Sequence, residues 1–152
     1  MNKEFLEVKK QMQNARNISK TLHGIKIIHL YEPGEGDIAK IDFRSMGVYG
    51  SYKKPDMIIN LDVTEQWVAD FLKSKTGLAN GNVIYLLLHN GIWAEIEVLD
   101  VDLFIVDFLT SEYRSCYFIS FIDAEMKKMY EFGSDSRDEY HRLYDEYNIK
   151  FV

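Results

Sequence analysis

Asn90-Gly91 stands between two runs built for strands, Val83 to Leu88 and Ile92 to Val98. An Asn-Gly pair adopts the positive φ values of a type I′ turn at little cost, and that turn's twist matches the twist of paired strands. The stretch His89-Asn90-Gly91 therefore predicts a tight hairpin, and an antiparallel sheet becomes the centre of the fold. Along the second run, Trp93, Glu95 and Glu97 share one face, while Ala94, Ile96 and Val98 share the other. The aliphatic set is the core face on this reading, which leaves Trp93 exposed.

The rest of the chain is read outward from that hairpin. Leu103 to Leu109 reads as a third strand, Thr110-Ser111-Glu112 as a turn, and Cys116 to Ile122 as a fourth strand, giving an antiparallel meander over residues 83–122. Ile25 to Tyr31 and Ile38 to Phe43 read as strands joined by the turn Pro33-Gly34-Glu35-Gly36, and Met57 to Leu61 as a buried strand. Residues 3–22 carry Phe5, Val8, Met12, Ala15 and Leu22 at helical spacing, with Gly24 as the stop. That stripe packs on the sheet or forms a seam for a partner helix. A second helix, about 63–75, has Asp62 as N-cap, Glu65 completing a capping box, and Trp67, Val68, Phe71 and Leu72 as a core face ended by Gly77.

Asp123 reads as the cap of a short helix from Ala124 to Phe132. Ser136 and Glu139 open another, with Tyr140, Leu143, Tyr144 and Tyr147 on one face, and Ile149 to Val152 is an apolar docked end or edge strand. The predicted class is α+β: an antiparallel sheet of about five to seven strands, an N-terminal helix, one capped helix on a face and short C-terminal helices. All of this fits one domain over residues 1–152.

The longest apolar stretch, Val83 to Leu88, is far shorter than a membrane span, and the first residues lack the apolar core of a signal peptide. A single cysteine, Cys116, offers no internal disulfide, which fits a reducing compartment. A cytoplasmic protein with no membrane contact is the expectation.

Net charge is −6, and its distribution is uneven. Residues 1–30 hold a net of +4, residues 31–90 a net of −2, and residues 91–152 a net of −8. Phosphate backbones and anionic lipid surfaces are bound by Lys and Arg, so direct nucleic-acid binding is disfavoured. The acidic half interleaves aromatics with carboxylates. Trp93, Glu95, Glu97, Asp100, Asp102, Glu112 and Tyr113 are its candidate partner-binding residues. Carboxylates steer a cationic partner and set register, and aromatics supply buried anchors.

No catalytic motif accompanies these features. The four histidines never fall at zinc-binding spacing, no G-x-S-x-G frames a serine, and Gly34-Glu35-Gly36 lacks the third glycine of a dinucleotide loop. Pro55-Asp56 followed by Glu95-Ile96-Glu97 approaches a metal-dependent nuclease pattern, but no lysine sits two residues after Glu95 and Val98 follows. No cofactor, metal site or catalytic residue is assigned. In bulk character alone the chain resembles bacterial toxin-immunity proteins and phage anti-defence inhibitors. The reading is a non-enzymatic acidic protein that neutralises a basic toxin or nuclease by occluding its cationic site. The alternatives are a Mg²⁺-dependent hydrolase using the clustered carboxylates, or an assembly component that oligomerises through the N-terminal helix.

Overall fold

The structure, a computed structural model, describes residues 2–48, 53–89, 91–110 and 118–152, with His89 by its backbone alone. The fold is α+β, as the patterning predicts, with a seven-stranded, wholly antiparallel open sheet at its centre. In chain order the elements are α1 (Lys3–Thr21), β1 (Ile25–Leu30), a 3-10 turn (Asp37–Lys40), α2 (Phe43–Met46), β2 (Met57–Asn60), α3 (Glu65–Thr76), β3 (Val83–His89), β4 (Ile92–Val98), α4 (Val101–Thr110), β5 (Ile119–Asp123), β6 (Lys128–Asp135) and β7 (Asp138–Asn148). The strands lie in the order β1-β4-β3-β5-β6-β7-β2. No helix among the described residues is long and apolar enough to cross a membrane.

The β3–β4 hairpin forms where Asn90-Gly91 places it, with Leu87 opposite Trp93 and Ile84 opposite Ile96. Gly91 takes φ 77°, the left-handed value the turn requires. Asn90 lies outside the described residues.

One face of the sheet carries the main core. Ile84, Leu86 and Leu88 of β3, Ala94, Ile96 and Val98 of β4, and Phe121, Phe132 and Tyr144 farther along pack beneath α1, α3 and α4. Met12, Ala15 and Leu22 of the predicted α1 stripe are buried against this chain's own core, while Phe5 at the head of the helix is exposed. Gly24, just after α1, cannot carry a side chain. A Cβ there would lie 2.7 Å from the Asp100 carbonyl oxygen and 2.8 Å from the Phe104 nitrogen. This close approach lets the Gly24 carbonyl accept hydrogen bonds from Leu99 and Asp100, tying β1 to the start of α4.

Four expected elements differ from the structure. The predicted strand Leu103 to Leu109 is helix α4. Its buried residues Val101, Phe104, Ile105, Phe108 and Leu109 follow helical spacing, and the Asp100 carboxylate accepts from the Leu103 N–H at 3.1 Å as the cap. An almost continuous apolar run hides that period, since Leu103 and Val106 fill the gaps between stripe positions. The predicted strand Ile38 to Phe43 is the 3-10 turn followed by α2. Ile38 and Ile41, three apart, are both buried, and the Asp42 carboxylate caps Ser45.

The predicted helix Ala124 to Phe132 is a turn followed by β6. Asp123 does cap, but it closes a turn, accepting from Lys127 and Lys128 at 2.8 and 2.7 Å. The predicted C-terminal helix after Ser136 is β7. Leu143 and Tyr147 point to one face and Tyr144 to the other, and all three are buried because both faces of the sheet are covered. A strand buried on both sides loses its alternation, and apolar residues at spacings of one, three and four then imitate a helix. Tyr140 is 76% exposed.

The capped helix α3 stands where the sequence places it, with its cap moved. Thr64, not Asp62, is the N-cap, its hydroxyl accepting from the Trp67 N–H at 3.1 Å. Val68, Ala69 and Leu72 form the buried stripe. Trp67, expected in the core, is 40% exposed and stacks on Phe71 at a ring distance of 5.1 Å.

Candidate functional site

The sheet face opposite the helices is covered by residues 31–48, which cross it as a strap. Ile38 and Ile41 of the strap pack with Trp93, Ile122, Met129 and Tyr147 in a second core. The chain end pins the strap: Asp42 N–H donates to the Lys150 carbonyl at 2.7 Å, and Val152 N–H to the Lys40 carbonyl at 2.8 Å. The chain end is thus held by backbone bonds, while its apolar side chains Phe151 and Val152 are exposed. Trp93, expected to be exposed, is 8% exposed because the strap lays Phe43 flat on it, with ring centroids 5.8 Å apart and planes within 4°.

Two hollows flank this stacked pair. The larger, about 290 Å³, is lined by Phe43, Val48, Leu87, Trp93, Phe118 and Met129, with Gly91 at its edge and Glu131 as its charged group. The smaller, about 180 Å³, shares Phe43, Gly91 and Trp93 and runs along Tyr31 and the strap, where Glu32 and Glu35 line it. Among the described residues, the charged lining of both is acidic and includes no Lys or Arg.

Glu131 is the most perturbed carboxyl of the larger hollow. It leaves β6 on the strap side, beside Ser120 of β5 and Asp145 of β7. The Ser120 hydroxyl donates to Oε2 at 2.9 Å, and Tyr147 hydrogen-bonds the same carboxyl. Burial pushes the Glu131 carboxyl up to about 7 and Asp145 adds to the rise, against the hydrogen bonds from Ser120 and Tyr147 and the charge of Arg137. The bonds of Arg137 go elsewhere, to Asp135 and Asp145.

Asp145 is the best-compensated acid among the described residues. It is 2% exposed. Arg137 grips both its oxygens, Lys53 donates to Oδ1 at 2.8 Å, and the Asp56 N–H approaches at 3.4 Å. Burial alone raises this carboxyl, but the bonds from Arg137 and Lys53 outweigh it and hold the carboxyl below its ordinary value. Arg137 is lifted further above its usual range by the same bonds. Its Nη1 also donates to the Lys53 carbonyl at 3.1 Å, so the pair anchors the segment entering β2 onto β7.

The candidate residues from the sequence divide between two places. Trp93, Glu95 and Glu97 lie on the strap face of β4. Glu95 stands opposite Tyr85, which bonds both Glu95 and Tyr31. Burial, with the Tyr31 and Glu95 charges, pushes the Tyr85 phenol up to about 12. Glu97 lies opposite Lys26 of β1. Asp100 and Asp102 belong instead to the start of α4, in the helix layer. Asp100 is that helix's cap, and Asp102 accepts from Lys73 at 2.7 Å and Gln66 at 3.0 Å. The five therefore do not form one patch. Glu112 and Tyr113 lie outside the described residues, as does Cys116.

Glu131, Phe43 and the Arg137–Asp145 pair were not singled out by the sequence. Their one common sign is a charge or aromatic set among residues that the structure turns into covered strand or strap. Among the described residues, no group of three or more His, Cys, Asp or Glu side chains is placed to hold a metal ion. His23, His29 and His141 each sit against a single carboxylate, Asp107, Glu35 and Asp138 respectively.

Set against known proteins, the chain matches no family model, no curated protein and no solved structure.

Proposed function

We propose that this chain is a non-enzymatic binding protein that engages a basic protein partner through the strap face around Trp93, in the manner of an inhibitor occluding a cationic groove. One observation carries the reading: two adjoining hollows flank an aromatic stack, and their charged lining among the described residues is acidic. Protein interfaces concentrate their affinity in central, well-packed pockets that receive an anchor side chain, with polar groups around them. A face of this form, with Glu32 and Glu97 on its surroundings, favours a partner that presents cations. The net charge of −6 draws such a partner from a distance. The toxin or nuclease of an immunity or antitoxin pair has that chemistry. Asp100 and Asp102 take no part in the contact on this reading, because the structure spends them on α4.

Association kinetics test the placement. Glu32→Lys combined with Glu97→Lys reverses charge on the strap side without touching the Phe43–Trp93 stack. Stopped-flow association with the captured partner is expected to slow about tenfold at low salt, with a smaller difference at high salt. Asp70→Lys, on α3 in the helix layer, is expected to leave the rate nearly unchanged. Equal slowing by the two variants would mean that the partner responds to net charge alone and that the face is misassigned.

A further inference from the structure

The larger hollow has a composition that its role as part of a broad contact surface does not require. Its walls are aromatic, aliphatic and thioether groups, supplied by Phe43, Trp93, Leu87 and Met129, and its charged group among the described residues is Glu131. At about 290 Å³ it lies at the small end of ligand-binding pockets and has room for one extended side chain. We infer that this hollow receives a single lysine side chain of the partner, its methylene stem between Trp93 and Met129 and its ammonium against Glu131. The inference rests on the reading that the strap face engages a basic protein, and it names the contact that anchors it.

Three features favour this occupant. A four-carbon stem removes apolar surface from water on both sides, which a shorter cation does not do. An ammonium beside the Phe43 and Trp93 rings also gains from their negative faces. Among the described residues no cation bonds the Glu131 carboxyl, since Arg137 acts on it through space while bonding Asp135 and Asp145. Ser120 already donates to Oε2 and Tyr147 bonds the same carboxyl, which leaves little room for the paired bonds of a guanidinium fork. A compact ammonium needs a single acceptor.

The test uses the full chain and a small probe, without the partner. Trp93 lines the hollow and Trp67 is the other tryptophan of the sequence. A Trp67→Phe background therefore makes the fluorescence report on Trp93 alone. Titration with Nα-acetyl-lysine amide at about pH 8, where the Glu131 carboxyl is ionised, is expected to give a saturable change. The neutral probe Nα-acetyl-norleucine amide, which keeps the four-carbon chain and lacks the ammonium, is expected to bind about tenfold more weakly, as the loss of one charge-assisted hydrogen bond implies. Glu131→Gln, which keeps the shape of the side chain, is expected to erase that discrimination. Absence of a saturable signal, or equal binding of the two probes by the unaltered hollow, would overturn the assignment. So would tighter binding of the arginine analogue. A failed titration beside successful capture of a basic partner would remove the lysine pocket and leave the functional reading standing. A successful titration with no basic partner would do the reverse.

Discussion

Asp145→Ala is expected to destabilise the protein by about 3–5 kcal/mol, the usual result of removing one partner from a buried ion pair. The loss has two sources. Arg137, whose side chain is 10% exposed, keeps its charge and its bonds to Asp135 but faces an empty site where both Asp145 oxygens stood. Lys53 loses its partner at 2.8 Å, which leaves the segment that leads into β2 with fewer bonds to β7. The effect should exceed that of Lys53→Ala, because Lys53 is more exposed and also pairs with Asp56. Urea denaturation of Asp145→Ala, of Arg137→Ala and of the two combined gives the coupling directly. The double variant is expected to lose less than the sum of the singles. Additive losses would mean that the two side chains do not act as a unit. A loss below about 1 kcal/mol for Asp145→Ala would place the pair among surface bridges.

Glu131→Gln is expected to make the protein more stable than the unaltered chain at alkaline pH. The sign follows from the direction of the shift. Burial raises the folded carboxyl from the ordinary 4.5 to about 7. Between those values the folded protein holds a proton that the unfolded chain releases. The stability that goes with that proton is fully present below the ordinary value and is lost as pH rises through about 7. The whole change is about 3 kcal/mol. Among the described residues, the groups facing Glu131 are Ser120 on β5, Asp145 and Tyr147 on β7, and Arg137 in the β6–β7 turn. Phe43 and Val48 of the strap side of the hollow carry no charge. Denaturation at about pH 5 and about pH 8 should show most of that loss for the native residue and less than about 1 kcal/mol of it for Gln. Parallel pH profiles would mean that the carboxyl is solvated and that the hollow is not closed around it. Asp145 acts in the opposite sense. Its carboxyl is depressed, so its contribution is present above the ordinary carboxylate range and fades as pH falls through its lowered value. The two contributions are present together in mildly acidic solution.

The sequence made the central hairpin and the capped helix legible because each has a local chemical signal. Asn90-Gly91 dictates a turn whatever surrounds it, and Thr64 with Gly77 brackets α3 within two residues of its predicted span. The C-terminal half hides its elements from the sequence for one physical reason. Both faces of the sheet are covered, so β7 lacks the in-out alternation that identifies a strand. α4 is buried widely enough to lack the polar face that identifies a helix. Which face buried Trp93 was equally hidden, because it depends on Phe43, fifty residues earlier, lying flat on the indole.

The candidate site was legible in part. Trp93, Glu95 and Glu97 were named for their shared face and do share it. Asp100 and Asp102 were grouped with them by proximity along the chain, but the turn after β4 carries them into the helix layer. Glu131 had no local signal: Met129, Tyr130 and Phe132 around it read as helix, and its character comes from Ser120 and Tyr147 on neighbouring strands.

Capture from the native host tests the central claim most directly. The tagged protein and its Glu32→Lys, Glu97→Lys variant are each used as bait at low and moderate salt, and what elutes in stoichiometric amount is identified. The account predicts a basic protein bound by the unaltered chain, released as salt rises and retained poorly by the variant. An acidic partner, a partner held equally well by both baits, or no stoichiometric partner at all would contradict it.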